Sequence, residues 1–460
     1  MFITINHYFL AHGRERSSHE KNMMFFARFT HYWGQILNFG YNYYMAKEKK
    51  YPEITPDLPY QRTWTIFYIV IWIIGLVNKI KNRAKIVKNN KLPKPPYILI
   101  STHASMLDFY MALCLTFPHK VYWISTVEEF IPRYFIFRRI GVLAKRKFTN
   151  DPKGAVRYLE VLKKKKILVI YPEARYSFMG ETERIDKSLG RFAKMANVPV
   201  VLNREHGNYL YCPQWSDRKV RKVRPIVNEI ETIIDKNDLE NLSAQEIQEK
   251  IESKFYVSEE DWMEAKNIKI KYENRAVGLE RILYKCPHCG TEFEMSSEGH
   301  HLKCNHCGIT YDYLEDGCLE CINGDTKFEY ISKWYKWEKQ CVKEEVINGT
   351  YHFEDDVRVE KLMGAGIGFV PLEGHHHLTH DINESFNVKG TDNDFTFHRS
   401  SLQSYALHIE YNYEDRGAFL ELADNKDVYF IYPLNKKAYL TKLHFATEHI
   451  YDLKKEEKQK

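Results

Sequence analysis

The sequence lacks an apolar run long enough to cross a bilayer. Residues 63–78 carry no charge, but sixteen residues at 1.5 Å each reach about 24 Å, short of the roughly 30 Å hydrocarbon core. That stretch is expected to dip into one leaflet or lie at the interface, with a buried core helix as the competing reading. Lys79, Lys81, Arg83, Lys85 and Lys88 follow it and would place a positive collar beside anionic head groups. A secretory signal is missing too: no basic segment leads into an apolar segment and a small-residue cleavage site. Net charge is only +6 over 460 residues, so the balance alone names no partner. Cysteine is sparse, nine in all, six of them in Cys-x2-Cys pairs. That pattern fits metal ligands in a reducing compartment better than a disulfide framework.

What is present is a globular composition, 44% hydrophobic, in a chain long enough for two or three domains. Aromatic residues make up 14%, which suits a protein lying against an interface. The informative stretch is Ser101-Thr102-His103-Ala104-Ser105-Met106-Leu107-Asp108-Phe109. An apolar run from Tyr97 to Ile100 reads as a buried strand, Ser101 and Thr102 as helix N-cap residues, and a helical pattern runs on through Leu115. His103 and Asp108 are too far apart to share one face in mid-helix. At a turn feeding the first helical turn they can meet. A carboxylate bonded to one imidazole nitrogen fixes the tautomer and leaves the other as a base. A capping histidine and a surface aspartate would fit the same spacing.

Three further blocks follow. Gly141 to Lys147 reads Gly-Val-Leu-Ala-Lys-Arg-Lys, Tyr171 to Ser177 reads Tyr-Pro-Glu-Ala-Arg-Tyr-Ser after a buried strand, and Val198-Pro199-Val200-Val201 closes the series. Taken with His-x4-Asp, their order and distances over residues 60–230 resemble the glycerolipid acyltransferases, the lysophosphatidate acyltransferase-like enzymes. The resemblance implies His103 and Asp108 as the catalytic pair. It also implies an acceptor site built from Arg146, Lys147, Glu173, Arg175, Tyr176 and Ser177. Two positions depart from the family pattern. Lys147 stands where the family has arginine in the second block. In the third, Tyr176 takes the arginine's place and Arg175 sits one residue early. Arg175 is expected to reach an acceptor phosphate from a shifted direction; the alternative gives the head group to Tyr176 and a carboxylate partner to Arg175.

Along the chain, residues 1–90 are expected to hold aromatic and membrane-associated helices, with Phe25, Phe26, Phe29, Tyr32 and Trp33 gathered on one helix side. Residues 91–234 alternate strand and helix, an α/β domain with its loops at the strand carboxyl ends. Asp151 caps one of its helices. Residues 235–283 read as a helical connector carrying the capping box Ser243-Ala244-Gln245-Glu246. Cys286, Cys289, Cys304 and Cys307 form two Cys-x2-Cys knuckles, each followed by glycine, in a zinc ribbon over 284–325. Four thiolates leave no open position for water, so this zinc is structural. Cys318 and Cys321 are strand or turn residues of the same ribbon. Residues 345–450 carry short apolar runs and a closing helix from Lys436 to His449, a β-rich domain read as a small barrel or sandwich, with His375, His376, His377 and His380 in an exposed loop.

The expectation is an O-acyltransferase of phospholipid biosynthesis at the cytoplasmic membrane face, peripheral or monotopic. It moves a fatty acyl group from acyl-CoA or an acyl-carrier protein to a lysophospholipid or glycerol phosphate, 1-acylglycerol-3-phosphate first among them. The rival is an inactive acyltransferase-like protein that binds or scaffolds through its ribbon. Nucleic acid is not expected as a partner, because the basic stretch between His119 and Lys166 falls inside the acyltransferase-like domain and not on the ribbon.

Overall fold

The computed structural model describes residues 61–459, apart from residues 132, 150, 217, 218, 222, 365, 366, 384 and 413–415. The expected aromatic helix around Phe25 to Trp33 lies outside the described residues. The first element among the described residues is helix α1 (Thr65–Lys81), which takes in most of the expected charge-free run. No described helix is long and apolar enough to cross a membrane. The two sides of α1 differ, and one of them is packed as the buried-helix reading expects. Tyr68 and Gly75 are buried, and the Tyr68 hydroxyl binds the carbonyls of Val121 and Ile140. On the other side Ile66, Ile69, Ile73, Leu76 and Ile80 are exposed, a stripe at helical spacing that no described residue covers.

The chain then builds a seven-stranded sheet. Its elements are β1 (Lys85–Lys88), β2 (Tyr97–Ser101), α2 (Leu107–Thr116), β3 (Val121–Thr126), α3 (Tyr134–Ile140), β4 (Val142–Lys145), α4 (Pro152–Lys163), β5 (Ile167–Ile170), α5 (Leu189–Ala196), β6 (Val200–His206), α6 (Asn208–Tyr211) and β7 (Val227–Ile234). The order is β1-β7-β6-β2-β5-β3-β4. Strands β2 to β6 run parallel, while β7 is antiparallel to β6 and parallel to β1. Apolar side chains alternate between the faces. Tyr97 and Leu99 pack toward α1 and α2, whereas Ile98 and Ile100 pack toward α4, α5 and the following helices. Burial on both faces is why these strands read as continuous apolar runs. The Asp151 cap forms, Gly154 N–H donating to Oδ1 at 2.8 Å.

Helices α7 (Lys236–Asn241), α8 (Ala244–Phe255) and α9 (Glu259–Lys266) form the connector. The capping box is reciprocal: Glu246 N–H donates to Ser243 Oγ at 3.2 Å and Ser243 N–H to Glu246 Oε2 at 2.7 Å. The ribbon follows as four antiparallel strands, β8 (Met295–Glu298), β9 (His301–Cys304), β10 (Thr310–Tyr313) and β11 (Leu319–Cys321). In both knuckles a left-handed glycine closes the turn, Gly290 N–H on Cys286 O and Gly308 N–H on Cys304 O, each at 2.9 Å.

The remainder comprises α10 (Ile331–Ile347), β12 (His352–Gly364), β13 (Gly368–Pro371), β14 (His376–Asp381), β15 (Ser385–Gly390), β16 (Thr396–Arg399), β17 (His408–Glu410), β18 (Phe419–Ala423), β19 (Val428–Pro433) and α11 (Leu440–Gln459). In place of a barrel or sandwich there is one antiparallel sheet, β16-β15-β14-β12-β19-β18-β17, with β13 on β12. The reason lies in β12, thirteen residues long. Its first half pairs with β14 and its second with β19 and β13. The histidines also differ from expectation. His376 and His380 alternate with Leu378 on β14 and are buried. His380 bonds the Tyr351 hydroxyl at 2.8 Å and stacks on Phe386, and burial depresses its pKa to about 3. Ribbon, sheet, α10 and α11 share a single apolar core.

Candidate active site

The turn after β2 holds the catalytic candidates. His103 Nδ1 lies 2.9 Å from Asp108 Oδ2. Helix α2 starts at Leu107 without a side-chain cap, later than expected, because residues 102–106 shape the turn. Asp108 Oδ2 also accepts from the amides of Ala104 at 2.7 Å and Ser105 at 3.0 Å, and Oδ1 from Asn208 Nδ2 at 2.6 Å. Burial opposes ionisation of Asp108, but its bond and Coulomb attraction to His103, with the other donors, hold its pKa below the usual value. The carboxylate therefore stays charged and keeps Nδ1 of His103 as the protonated nitrogen, with Nε2 the basic one. The imidazole is 21% exposed. Tyr171 stacks on it at 4.2 Å and the Tyr176 ring lies 4.4 Å away.

Ser101 and Thr102 do not cap α2. Thr102 Oγ1 accepts from Glu205 N–H at 3.0 Å, and Ser101 Oγ, Asn203 and Asn208 surround the Glu205 carboxyl. Burial, then the Asp108 charge, push the Glu205 pKa well up. Sequence reasoning missed Glu205, Asn203 and Asn208. The signal was there: Asn203 and Glu205 follow apolar Val200 to Leu202 on β6 with period two, and polar residues prolonging a buried strand mark a site.

Glu173 braces the turn from the other side. Its Oε2 accepts from His103 N–H at 3.2 Å and its Oε1 from Glu183 N–H at 2.9 Å. Burial raises its pKa to about 8. Ser177 N–H donates to His103 O at 3.0 Å, and Ser177 Oγ donates to Glu181 O at 2.7 Å. Glu173 and Ser177 thus position the histidine's backbone. Ala174 lies between them at φ +55°, where an L-residue costs about 1–2 kcal/mol and glycine about 0.5–1 kcal/mol in chain entropy. Ala174→Gly should stabilise the protein by roughly 0.5–1 kcal/mol, read as a higher urea midpoint at unchanged slope.

The three basic residues sit elsewhere than expected. Arg175 is buried, with Nη2 2.6 Å from Glu183 and 2.9 Å from Glu448 of α11. Its phosphate-contacting role is corrected on that ground, since two carboxylates already share its guanidinium. Arg146 donates to the carbonyls of Asn425 at 3.0 Å and Lys426 at 2.6 Å, in the β18–β19 turn. Lys147 lies between Glu128 at 2.8 Å and Glu421 of β18 at 3.2 Å. These contacts fasten the C-terminal sheet and helix onto the acyltransferase motifs. Tyr176, in the family's arginine position, is the one beside His103.

The cysteines come together as expected. Cys286, Cys289, Cys304 and Cys307 offer sulfurs within 4.8 Å of one another, a set that could hold a metal ion. Sγ separations of 3.7 Å (Cys286–Cys307) and 3.8 Å (Cys289–Cys304) match a tetrahedron with metal–sulfur bonds of about 2.3 Å, whose edges are about 3.8 Å. Cys318 and Cys321 belong to none of the potential metal-binding groups among the described residues.

A parallel-stranded core with a His-Asp pair at the carboxyl end of a central strand defines the class: an acyltransferase-type α/β domain. Residues 83–201 match the family model described as Acyltransferase. Among solved structures, the chain is similar to the 1-acyl-sn-glycerophosphate (LPA) acyltransferase PlsC of Thermotoga maritima, at 18% identity and a TM-score of 0.34, over 43% of this chain and 79% of that one. No curated protein matches the chain.

Proposed function

We propose that the chain is an O-acyltransferase that works at a membrane surface, moving a fatty acyl group from an acyl thioester to the hydroxyl of a lysophospholipid or glycerol phosphate in phospholipid synthesis. The single observation carrying this is the 2.9 Å His103–Asp108 pair with its imidazole open to solvent. The acceptor hydroxyl gives its proton to His103 Nε2 as its oxygen attacks the thioester carbonyl. The carbon–sulfur bond then breaks, the thiolate leaves, and the imidazolium is stabilised by Asp108. The intact pair also argues against the inactive scaffold. The donor is acyl-CoA or an acyl-carrier protein. Support for the membrane surface, on its cytoplasmic side, comes from the exposed apolar stripe of α1 and the basic residues after it.

1-Acylglycerol-3-phosphate is the acceptor the family resemblance favours. A specific observation supports a second reading, a zwitterionic or uncharged head group: Arg146, Lys147 and Arg175 are committed within the chain, and Tyr176 stands by His103. Labelled acyl-CoA and acyl-carrier protein, tested with lysophosphatidate, glycerol 3-phosphate and lysophosphatidylcholine, separate the readings by product mass. With Tyr176→Phe, the second reading expects a raised KM for the zwitterionic acceptor. No product from any acceptor, with well-folded protein, would remove the enzyme reading.

For the cysteine site we propose a structural zinc. Purified protein should carry about one equivalent. Chelation should raise amide exchange first in residues 284–312 and then in the shared core, while β2 and β5 change least. Well-folded protein without metal would exclude it.

A further inference from the structure

Residues 362–372 read Leu-Met-Gly-Ala-Gly-Ile-Gly-Phe-Val-Pro-Leu, eleven positions without a charged or hydrogen-bonding side chain. Of these, residues 362–364 end β12 and residues 368–371 form β13, which pairs with it. Hairpin tips at a water-facing surface carry polar turn residues, and strand edges are blunted with charge. Here Met363 and Ile367 are each 51% exposed and Val370 is 38% exposed. Phe369 points the other way, stacking on Phe430 at 3.7 Å. Leu362 and Leu372 are likewise packed inward, so the hairpin is anchored by three side chains and presents Met363, Ile367 and Val370 outward.

The surroundings say what it meets. A Cβ on Gly368 would lie 3.5 Å from Ile131, just before α3. Phe135 of α3 is 5.9 Å from Phe67 of α1, and Arg139 lies over both Phe135 and Trp64. Hairpin, α3 and α1 are therefore contiguous, and α1 carries its own exposed stripe. From Gln61 to Leu107 the chain has eight lysines and arginines and no acidic residue before Asp108. Lys361 and Arg416 flank the hairpin but are each paired with a carboxylate, Lys361 with Asp427 at 2.9 Å and Arg416 with Glu360, so the excess of bases lies in the segment around α1. Exposed apolar side chains beside this basic segment complement an anionic bilayer.

We propose that the 362–372 hairpin is a second membrane-inserting element, supplied by the C-terminal sheet, which enters an anionic leaflet beside α1. This rests on the membrane-surface reading above. Two separate insertions also fix rotation about α1, so the acyltransferase domain meets the lipid in one orientation.

Co-sedimentation with vesicles of phosphatidylglycerol and phosphatidylcholine tests it on the full chain. Met363→Asp/Ile367→Asp should bind about ten-fold or more weakly than the parent, with an unchanged unfolding midpoint because both side chains are exposed. Parent protein should show slowed amide exchange at 362–372 on vesicles. If the double variant binds like the parent while Ile69→Asp/Ile73→Asp does not, the hairpin inference is overturned and the membrane reading stands. If the parent itself stays in the supernatant, the membrane reading falls and takes this inference with it. A self-associated parent that the hairpin variant makes monomeric, with vesicle binding unaltered, would assign the tip to a second copy and overturn the proposal.

Discussion

His103→Ala should lower kcat by about 10²–10⁴-fold, the range general-base assistance supplies, with little loss of stability. Asp108 is why the fold should tolerate it. With the imidazole gone, its carboxylate still accepts from Ala104, Ser105 and Asn208, so no buried charge is left without donors. Thiol release from acyl-CoA gives the rate, and thermal unfolding the control. Turnover near that of the parent would remove His103 from catalysis. Asp108→Asn is a different experiment, because an amide cannot accept at every oxygen position and its NH2 group would face donors. That variant should lose both rate and stability.

Glu448→Gln should produce the largest effect from outside the acyltransferase domain. Glu448 bonds Arg175 at 2.9 Å and Lys339 at 2.6 Å, all but buried. Leaving a buried charge unpaired costs about 3–5 kcal/mol, and the loss here should be smaller because Arg175 keeps Glu183. The loss should also reach the active site along a continuous path. Arg175 holds Glu183 at 2.6 Å, Glu183 N–H holds Glu173, and Glu173 accepts from His103 N–H. A displacement of about 1 Å far from the chemistry can cost on the order of 10²-fold, so kcat should fall roughly 10–100-fold below the unfolding range. Glu457 on the same helix is exposed and pairs with half-buried Lys454, so Glu457→Gln should change neither rate nor stability. A Glu448→Gln enzyme with parental kcat would show that α11 has no hold on the catalytic turn.

The catalytic pair was legible because it depends on local chain geometry. A strand, a turn and a helix within a dozen residues determine whether His103 can reach Asp108, and each leaves its mark in the pattern. The knuckles were legible for the same reason, their ligands being two residues apart. The partners of Arg146, Lys147 and Arg175 were not legible. Those lie in β18, its turn and α11, and nothing local to a basic residue says whether a distant carboxylate or a substrate phosphate will meet it. The His375 to His380 stretch failed differently. Four histidines within six residues read as loop, yet His376, Leu378 and His380 follow the two-residue strand period, and Tyr351 and Phe386 give His380 its buried partners.

The distance along the chain between Arg175 and Glu448, 273 residues, has a consequence during synthesis. At about 5–20 residues per second a ribosome needs roughly 15–55 s to cover it. Throughout that interval the nascent acyltransferase segment has emerged with Glu183 as the only one of the two carboxylates available to Arg175, while Lys147 awaits Glu421. The catalytic turn is then braced on one side only. Acyl transfer by a nascent chain should lag behind the emergence of His103 and begin only when α11 docks.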